Sequence, residues 1–320
     1  MLDLLHPSVV ERVDEARDRF RAAQPFRHIV IDEFLEPSFC RQLMTEFPAF
    51  DPSHAVTELG DPGRKAVVSD LPRLGEAYKR FDRLMRDAEF LELVGRITDI
   101  PKLLYDPEYV GGGTHENLSG EDLDPHVDFN FHPRRRWHRR LNLIVFLNPQ
   151  WETSWGGCLE LIRDPWISSG SGAGQRVVPL ANRAVIFETT ERSWHGFEQV
   201  QLPPGVPVGS RRSIAVYFYS RNRPSSETAA AHSTVYVPRP LGDHIRTGYT
   251  LREEDLEEIR DLIARRDARI KVLYERELDF SSLIGGLVRS PSFRLGQMLT
   301  WPARAARKLA RSRSSGRARN

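Results

Sequence analysis

LNLIVFLN at 141–148 opens a series of five short apolar runs, which continues with CLELI (158–162), QRVVPL (175–180), RAVIFE (183–188) and RSIAVYFYS (212–220). Each run is bounded by Gly, Pro or Asn, and this spacing of short strands is typical of an antiparallel sandwich or barrel. In the first run both alternating sets of side chains are mostly apolar, so we expect this strand to be covered on both faces. The series predicts two layers of antiparallel strands.

Helical patterns precede these strands. Residues 3–24 predict an N-terminal helix of mixed charge, and HIVIDEF (28–34) alternates like a strand. Pro37 lies at the first position of a further amphipathic helix that Pro48 closes. Apolar residues recur at helical spacing over 74–94. Helices followed by strands indicate an α+β fold with the helices on the outside of a sheet.

The C-terminal part of the chain has a different character. Residues 251–278 form a long amphipathic pattern with acid–base pairs at i,i+4 on its polar side. Gly285–Gly286 and Pro291 are expected to interrupt the helix that follows. We predict four parts: an N-terminal helix (1–25), a β domain (26–224), a helical extension (225–300) and a basic, disordered tail (301–320).

Composition excludes several classes of protein. The chain has 320 residues, of which 40% are hydrophobic, too high a fraction for a disordered chain. No apolar run approaches the ~20 residues of a membrane span, and the first residues lack the apolar block of a secretory signal. Two cysteines, Cys40 and Cys158, cannot supply a disulfide framework. These features predict a cytoplasmic protein.

Charge is distributed unevenly along the chain. The net charge is +2, and residues 301–320 hold seven bases and no acid, so +2 less these seven leaves −5 on residues 1–300. A mildly acidic body does not favour a nucleic-acid partner. The tail suits either a disordered solubilising end or peripheral contact with anionic lipid. The 251–278 helix is long enough to pack on the β domain or on a second copy, which leaves a homodimer open.

Metal-ligating side chains occur near the strands. His126 and Asp128 flank Val127 in an extended segment, where a side-chain period of two places both on one face. A third ligand must come from elsewhere in the chain, and His195, which follows the RAVIFE run, is the candidate. Two histidines and one carboxylate are the facial triad of Fe(II) oxygenases. A His-x-Asp tripeptide alone is a weak signal, because such spacings also arise by chance.

Arg211 adds a binding group for an anion. Strand parity places it on one face with Ser213, Ala215 and Tyr217, whereas Arg212 lies on the other. A guanidinium fork with a hydroxyl two residues away can clamp a carboxylate. Alone, an arginine at a strand end is more often solvated or paired.

The order of these features resembles the 2-oxoglutarate- and Fe(II)-dependent dioxygenases, and within them the prolyl 4-hydroxylase-like branch. The features are His-x-Asp, a strand ending in Leu147-Asn148, Gly156-Gly157, the strand before Trp194-His195, and Arg-x-Ser. The segment FRHIVIDEFLEPSFCRQL resembles the entry strand and helix of that branch, and the similarity covers roughly residues 26–222.

The resemblance implies a double-stranded β-helix (jelly-roll) core and a site for Fe(II) and 2-oxoglutarate, with ascorbate as a further candidate cofactor. Its iron ligands match His126, Asp128 and His195. Arg211 matches the residue that pairs with the distal carboxylate of 2-oxoglutarate, and Ser213 lies beside it. The segment that begins at Tyr109 resembles one whose tyrosine reaches the cosubstrate pocket.

Two departures from the family pattern stand out. Phe146 replaces a tyrosine that the prolyl hydroxylases often have before Leu-Asn, so one hydroxyl partner of the cosubstrate is missing. The long QLPPGVPVG segment before Arg211 leaves the choice between Arg211 and Arg212 open, and parity with Ser213 favours the first. His115, His132 and His138 also lie near the predicted site in sequence.

The predicted activity is hydroxylation of an unactivated C–H bond with release of succinate and carbon dioxide. Prolyl residues of a protein or peptide are the family analogy, and small metabolites or glycan precursors stay open as substrates. One alternative is a non-catalytic jelly-roll module that recruits a partner through its C-terminal helix. Another is a Zn-dependent hydrolase that uses the same triad.

Overall fold

The computed structural model describes residues 1–55, 65–167, 174–206, 208–242 and 244–301. It divides into two compact units, Met1–Asp243 and His244–Asn320. The helices are α1 (Pro7–Glu11), α2 (Val13–Ala22), α3 (Pro37–Thr45), α4 (Glu76–Arg86), α5 (Ala88–Thr98) and α6 (Glu253–Arg289). The strands are β1 (His28–Ile31), β2 (Lys65–Val68), β3 (Leu104–Tyr105), β4 (Gly113–Asn117), β5 (Leu123–Val127), β6 (His138–Phe146), β7 (Leu159–Ile162), β8 (Gln175–Val177), β9 (Ala184–Glu188), β10 (Trp194–Phe197), β11 (Arg211–Ser220) and β12 (Val235–Tyr236).

The strands of the first unit form two antiparallel sheets. The larger has the order β1-β9-β6-β11-β4-β2, with β3 also paired to β11, and the smaller has the order β12-β5-β10-β7-β8. Strands from both sheets line one cavity, so the sheets face each other. The predicted jelly-roll fold with flanking helices is confirmed, and all five apolar runs that predicted it contain strands.

Strands β6 and β11 lie side by side in the larger sheet, and their two faces meet different surroundings. On one face, Ile214, Val216 and Phe218 of β11 join Leu141 and Leu143 of β6 in the main apolar core. Side chains of the helices α2 to α5 complete that core. Ile144 and Phe146, on the other face of β6, pack in a second apolar cluster, so β6 is covered on both faces. The other face of β11 is directed into the cavity between the sheets.

Two predicted helices are each divided in the structure. The 3–24 pattern forms α1 and α2, because Arg12 leaves helical geometry between them. The 74–94 pattern forms α4 and α5, because Asp87 is extended and its carboxylate accepts hydrogen bonds from the amides of Glu89 and Phe90. Such a side-chain cap starts a new helix.

The predicted helical extension over 225–300 starts differently from expectation. Within residues 225–252, the described chain holds strand β12, which pairs with β5 and so belongs to the smaller sheet. The helix begins only at Glu253, where the Asp255 carboxylate accepts bonds from the Arg252 amide and the Tyr249 hydroxyl. Apolar periodicity does not indicate main-chain pairing to β5, which makes Val235–Tyr236 a strand.

The prediction that Gly285–Gly286 interrupts the C-terminal helix was wrong. Helix α6 continues through both glycines to Arg289, and residues 291–301 are again helical after Ser290. A glycine weakens a helix by only about 1 kcal/mol, whereas a proline removes a main-chain donor and begins a new helix well.

Residues 302–320 of the predicted basic tail lie outside the described residues. Within the described chain, no helix combines the length and hydropathy needed to cross a bilayer.

Candidate metal and cosubstrate site

The two predicted histidines are brought together by the pairing of β5 with β10. His126 and His195 are direct partners in this antiparallel pair, and their rings lie 4.2 Å apart between centroids. Asp128 follows β5 and lies on the same side as His126. The ligand atoms of all three residues lie within 4.8 Å of one another. His126 and His195, which are 69 positions apart in the chain, therefore converge because of strand register.

The imidazoles are oriented by main-chain carbonyls. Nδ1 of His126 lies 2.9 Å from the carbonyl oxygen of Asp124, and Nδ1 of His195 lies 2.9 Å from that of Ser193. A carbonyl only accepts hydrogen bonds, so each Nδ1 carries the proton and each Nε2 keeps its lone pair. Both Nε2 atoms point to Asp128, at 3.8 Å from Oδ1 for His126 and 3.5 Å from Oδ2 for His195.

The Asp128 carboxylate is held by two side chains of β6. Asn142 Nδ2 donates to Oδ2 over 2.8 Å, and Arg139 Nη2 lies 3.1 Å from the same oxygen. Arg139 also donates to the side-chain oxygen of Asn142, so the three groups form one buried network. Burial alone would raise the pKa of Asp128, but the Arg139 guanidinium keeps that pKa below its ordinary value. The carboxylate is therefore charged at neutral pH.

Both imidazoles are uncharged near neutral pH. Burial, followed by the neighbouring His195, lowers the pKa of His126 to about 3. Burial also lowers the pKa of His195. Metals bind neutral imidazole and charged carboxylate, so protons do not compete for this site near neutral pH. Two nitrogen donors and one oxygen donor on one side of a common point fit Fe(II) in a facial arrangement.

A cavity of about 250 Å³ adjoins these three residues. Arg211, Ser213, Ala215 and Tyr217 of β11 line it together with the triad, as strand parity predicted. Arg212 points the other way, where its Nε lies 3.0 Å from the Glu116 carboxylate. The structure thus separates the two adjacent arginines and directs Arg211 into the cavity.

Arg211 is a buried cation with an unusual set of neighbours. Its Nε donates to the Gly157 carbonyl over 2.6 Å, and its guanidinium lies over the rings of Phe197 and Phe146 at 4.2 and 5.2 Å. Within the described chain, no carboxylate lies within 4.0 Å of this guanidinium. Burial lowers its pKa to about 10, which still leaves it charged. Because a buried charge without a counterion is costly, this group fits an anionic ligand in the cavity.

The Gly156-Gly157 pair makes room for Arg211. Both glycines have φ near +65°, a region that favours glycine. A Cβ on Gly157 would lie 3.2 Å from Arg211 Cδ and 2.9 Å from Val200 Cγ2, and one on Gly156 would overlap the Gln199 carbonyl oxygen. The glycine pair is therefore required for the backbone to approach the arginine.

The prediction for Tyr109 was wrong. Its side chain is buried in the helix-facing apolar core, and its hydroxyl donates to Asp82 over 3.3 Å, so it does not line the cavity. A turn with positive φ at Tyr109 directs the ring away from the sheet interior. Val110 and Gly111, the next two residues, line the cavity instead.

Three cavity-lining residues were not assigned a role from the sequence. His115 of β4 lies opposite Ser213 in register, and its buried Nε2 has no hydrogen-bond partner within the described residues. Arg139 and Asn142 hold Asp128, as described above. Strand parity could have indicated Asn142, a polar residue on the same face as Ile144 in an otherwise apolar run. The partner of Arg139 depends on a register that the sequence does not contain.

Residues 113–219 match the model of the 2OG-Fe(II) oxygenase superfamily. This segment belongs to that superfamily. It contains the triad, Arg211 and Ser213, and the predicted Fe(II)- and 2-oxoglutarate-dependent oxygenase is thereby confirmed as the class of enzyme, with Fe(II) and 2-oxoglutarate as its cofactor and cosubstrate. No curated protein sequence matches the chain significantly.

Solved structures with similar folds include two prolyl hydroxylases, the branch that the sequence resembles. A Pseudomonas putida prolyl-4-hydroxylase is 18% identical, with a TM-score of 0.41, over 67% of this chain and 100% of its own. The Trichoplax adhaerens prolyl hydroxylase, in complex with a hypoxia inducible factor peptide fragment, is 14% identical with a TM-score of 0.46, over 69% and 96%. HygX from Streptomyces hygroscopicus, with nickel and 2-oxoglutarate bound, is 13% identical with a TM-score of 0.44, over 69% and 95%.

Gly157→Ala is expected to raise the KM for 2-oxoglutarate about 10-fold, because the added methyl displaces the Arg211 side chain and one charge-assisted hydrogen bond is worth about 1.5 kcal/mol. The KM is measured from succinate release at varied 2-oxoglutarate. Gly209→Ala is the matched control, since nothing lies within 4 Å of a Cβ at that position, two residues before Arg211. Equal KM values for the two variants would contradict the role given to Gly157.

His115 is expected to make the metal-free protein less stable as pH falls. Burial lowers the pKa of His115 well below its ordinary value, so between pH 6.5 and 5 the unfolded chain binds a proton that the folded chain does not. The free energy of unfolding therefore decreases as pH decreases, by up to about 1.4 kcal/mol per pH unit from this residue. Urea unfolding of the wild type and of His115→Gln measures this, and the variant should have the shallower dependence. Identical slopes would contradict the prediction.

Proposed function

We propose that this oxygenase hydroxylates an unactivated C–H bond, with His126, Asp128 and His195 as the iron ligands and Arg211 with Ser213 as the binding site for the distal carboxylate of 2-oxoglutarate. The observation that carries this proposal is the presence, in one cavity, of a metal-ligand triad and a buried guanidinium without a carboxylate partner in the described chain. A dicarboxylic acid can chelate a metal with one end and satisfy the guanidinium with the other.

Charge supports the binding of this cosubstrate. Two neutral imidazoles and one carboxylate around Fe(II) leave a net charge of about +1, and Arg211 adds another positive charge to the same cavity. A dianion neutralises both in a site that is removed from water, where electrostatic interactions are strong. Bound iron and 2-oxoglutarate supply the oxidising chemistry, with succinate and carbon dioxide as the products of the cosubstrate.

The protein's own residues orient the reacting groups. The carbonyls of Asp124 and Ser193 fix the imidazole rings, and Arg139 with Asn142 fixes the carboxylate. Hydrogen-bond partners of this kind hold metal ligands in position, and their loss typically lowers metal affinity about 10–100-fold. His115 Nε2 is directed to the same cavity, where it is available to a bound molecule.

The substrate is proposed to enter at the end of the cavity beside β12. Tyr236 of β12 stacks on the His126 ring with 5.1 Å between centroids, and Thr234 and Phe129 also line the cavity. A prolyl residue of a protein or peptide fits the family analogy, and a small metabolite is the other substrate class that we retain. Ascorbate as a cofactor and a cytoplasmic location remain part of the proposal, as does the absence of a nucleic-acid partner.

The hydrolase alternative lacks a second carboxylate among the described residues that line the cavity. Asp128 is the only acidic side chain among the described residues that line the cavity, and it is bound to Arg139. A Zn-dependent hydrolase with a glutamate base would need a second carboxylate to activate water, and it would have no need for Arg211 in the cavity. A non-catalytic module, the other alternative, gives no reason for a buried Arg211 beside an intact triad.

Succinate release tests the proposal. The protein is incubated with Fe(II), 2-oxoglutarate and oxygen, with a set of proline-containing peptides or small metabolites, and substrate is scored by a mass increase of one oxygen atom. We expect oxygen-dependent succinate from the wild type, stimulated by a hydroxylated substrate, and none with Zn(II). Turnover of a substrate with Zn(II) and without 2-oxoglutarate would favour the hydrolase, and no succinate under any condition would favour the non-catalytic module.

A further inference from the structure

Helix α6 has a seven-residue apolar repeat that the oxygenase chemistry does not use. The repeat runs from Leu256 to Leu287, and its positions are separated alternately by three and by four residues. We call the ten positions the α6 seam: Leu256, Ile259, Ile263, Arg266, Ile270, Leu273, Glu277, Phe280, Ile284 and Leu287. All but Arg266 and Glu277 are apolar. A spacing that averages 3.5 residues, kept for more than four heptads, is typical of a helix that pairs with another helix.

The apolar side chains of the α6 seam are exposed to solvent along most of the helix. The exposed fraction is 62% for Ile270, 64% for Phe280 and 59% for Leu287. From Leu256 to Leu287 the seam is about 46 Å long, at 1.5 Å per residue. A contiguous row of exposed apolar side chains is typical of an interaction surface in soluble proteins. The repeat identifies the missing partner as a helix with the same spacing.

The two charged positions of the seam indicate that the partner helix is α6 of a second copy in antiparallel orientation. In a parallel pair with a second copy, Arg266 would face Arg266 and Glu277 would face Glu277 inside the seam. In an antiparallel pair centred between Ile270 and Leu273, each Arg266 lies opposite Glu277 of the second copy. Opposite charges at facing seam positions stabilise the antiparallel pair, whereas like charges at facing positions destabilise the parallel pair.

The same antiparallel register matches the apolar positions. Leu256 then lies opposite Leu287 and Ile259 lies opposite Ile284, so apolar layers meet apolar layers at both ends. Ile263 lies opposite Phe280, and the central layer pairs Ile270 with Leu273. In this register every layer pairs either two apolar residues or two opposite charges. Because both helices have the same sequence, a second copy of the chain is sufficient as the partner.

We propose that the α6 seam pairs with the α6 seam of a second copy of this chain, as an antiparallel coiled coil that makes the protein a homodimer. The register places Arg266 of each copy beside Glu277 of the other. The dimer does not depend on the function proposed for the cavity, because the residues of the seam belong to the second unit of the chain.

Charge reversal on the full-length chain tests the dimer and its direction. Sedimentation equilibrium of the wild type should give a mass of twice 36.7 kDa. Arg266→Glu and Glu277→Arg, each alone, place like charges opposite each other and should weaken the dimer at least 10-fold. The double variant R266E/E277R restores opposite charges and should recover the wild-type dissociation constant, which a misfolded helix would not do. A monomeric wild type overturns the proposal, as does the absence of recovery in the double variant.

Cysteine crosslinking tests the register independently. Cys40 and Cys158 are buried, so the wild-type chain should give no disulfide dimer under mild oxidation. Ile259→Cys and Ile284→Cys, mixed as separate chains, should form a disulfide between one chain of each kind. Ile259→Cys alone should form none, because its two copies lie about 37 Å apart in the antiparallel register. A disulfide between two Ile259→Cys chains would indicate a parallel pair and overturn the proposal.

Discussion

Asp128→Ala is expected to abolish succinate release and to weaken Fe(II) binding at least about 100-fold. The carboxylate is one of three metal ligands in the proposed site and the only one with a negative charge. Its removal leaves two neutral imidazoles, which bind a divalent ion weakly, beside the buried Arg139 guanidinium. That guanidinium then repels a cation at short range.

The same substitution has a cost for folding. Breaking a buried ion pair by removal of one partner typically costs about 3–5 kcal/mol, because the other charge stays buried. Arg139 retains Asn142 and the ring of Tyr217, whose centroid lies 3.5 Å from the guanidinium carbon, and these contacts do not neutralise it. The metal-free Asp128→Ala protein should therefore unfold at lower urea concentration than the metal-free wild type.

Asp128→Asn separates the two effects. It keeps an oxygen that can accept from Arg139 but removes the charge, so it should restore part of the stability and little of the Fe(II) affinity. Calorimetric titration with Fe(II) under anaerobic conditions and urea unfolding provide the two readouts. Wild-type Fe(II) affinity in Asp128→Ala would contradict the assignment of this residue as a ligand.

Arg211→Ala is expected to raise the dissociation constant of 2-oxoglutarate about 100-fold while Fe(II) binding stays near the wild-type value. Loss of one partner of a buried, hydrogen-bonded charge pair costs about 2–5 kcal/mol, and 2.8 kcal/mol corresponds to 100-fold. Arg211→Lys keeps the charge but loses the fork that contacts both carboxylate oxygens, so its affinity should lie between the two.

Arg212→Ala is the matched control for this prediction. Arg212 is the adjacent residue on the same strand, and its guanidinium pairs with Glu116 outside the cavity. Its loss should leave 2-oxoglutarate binding nearly unchanged. The dissociation constants are measured on Fe(II)-loaded protein without oxygen. A larger effect for Arg212→Ala than for Arg211→Ala would transfer the binding role to the other face of the strand.

Much of the fold could be predicted from the sequence because burial imposes a period. The five apolar runs contain strands, and the parity of β11 correctly assigned Arg211 and Ser213 to the cavity face and Arg212 to the other face. The convergence of His126 and His195 could be predicted only from the order of motifs, since the β5–β10 register that joins them is not visible in either segment.

The errors have local physical causes. Tyr109 was assigned to the cavity from a short motif, but a turn with positive φ directs its ring into the apolar core. The role of Arg139 could not be predicted, because its partner Asp128 is reached across a loop and only the folded chain brings them together. Gly285–Gly286 was predicted to interrupt the helix, but glycine keeps its main-chain hydrogen bonds in a helix and only weakens it, so α6 continues.

Anaerobic addition of 2-oxoglutarate to the Fe(II)-loaded protein tests the central claim most directly, because it detects the metal and the cosubstrate in one cavity without any knowledge of the substrate. We expect a weak charge-transfer absorption band in the visible range that saturates at one 2-oxoglutarate per chain. At the same concentrations Arg211→Ala should reduce the band and Asp128→Ala should eliminate it, whereas Arg212→Ala should leave it as in the wild type. A wild-type protein without the band, or a band of equal strength in all three variants, would contradict the proposed site.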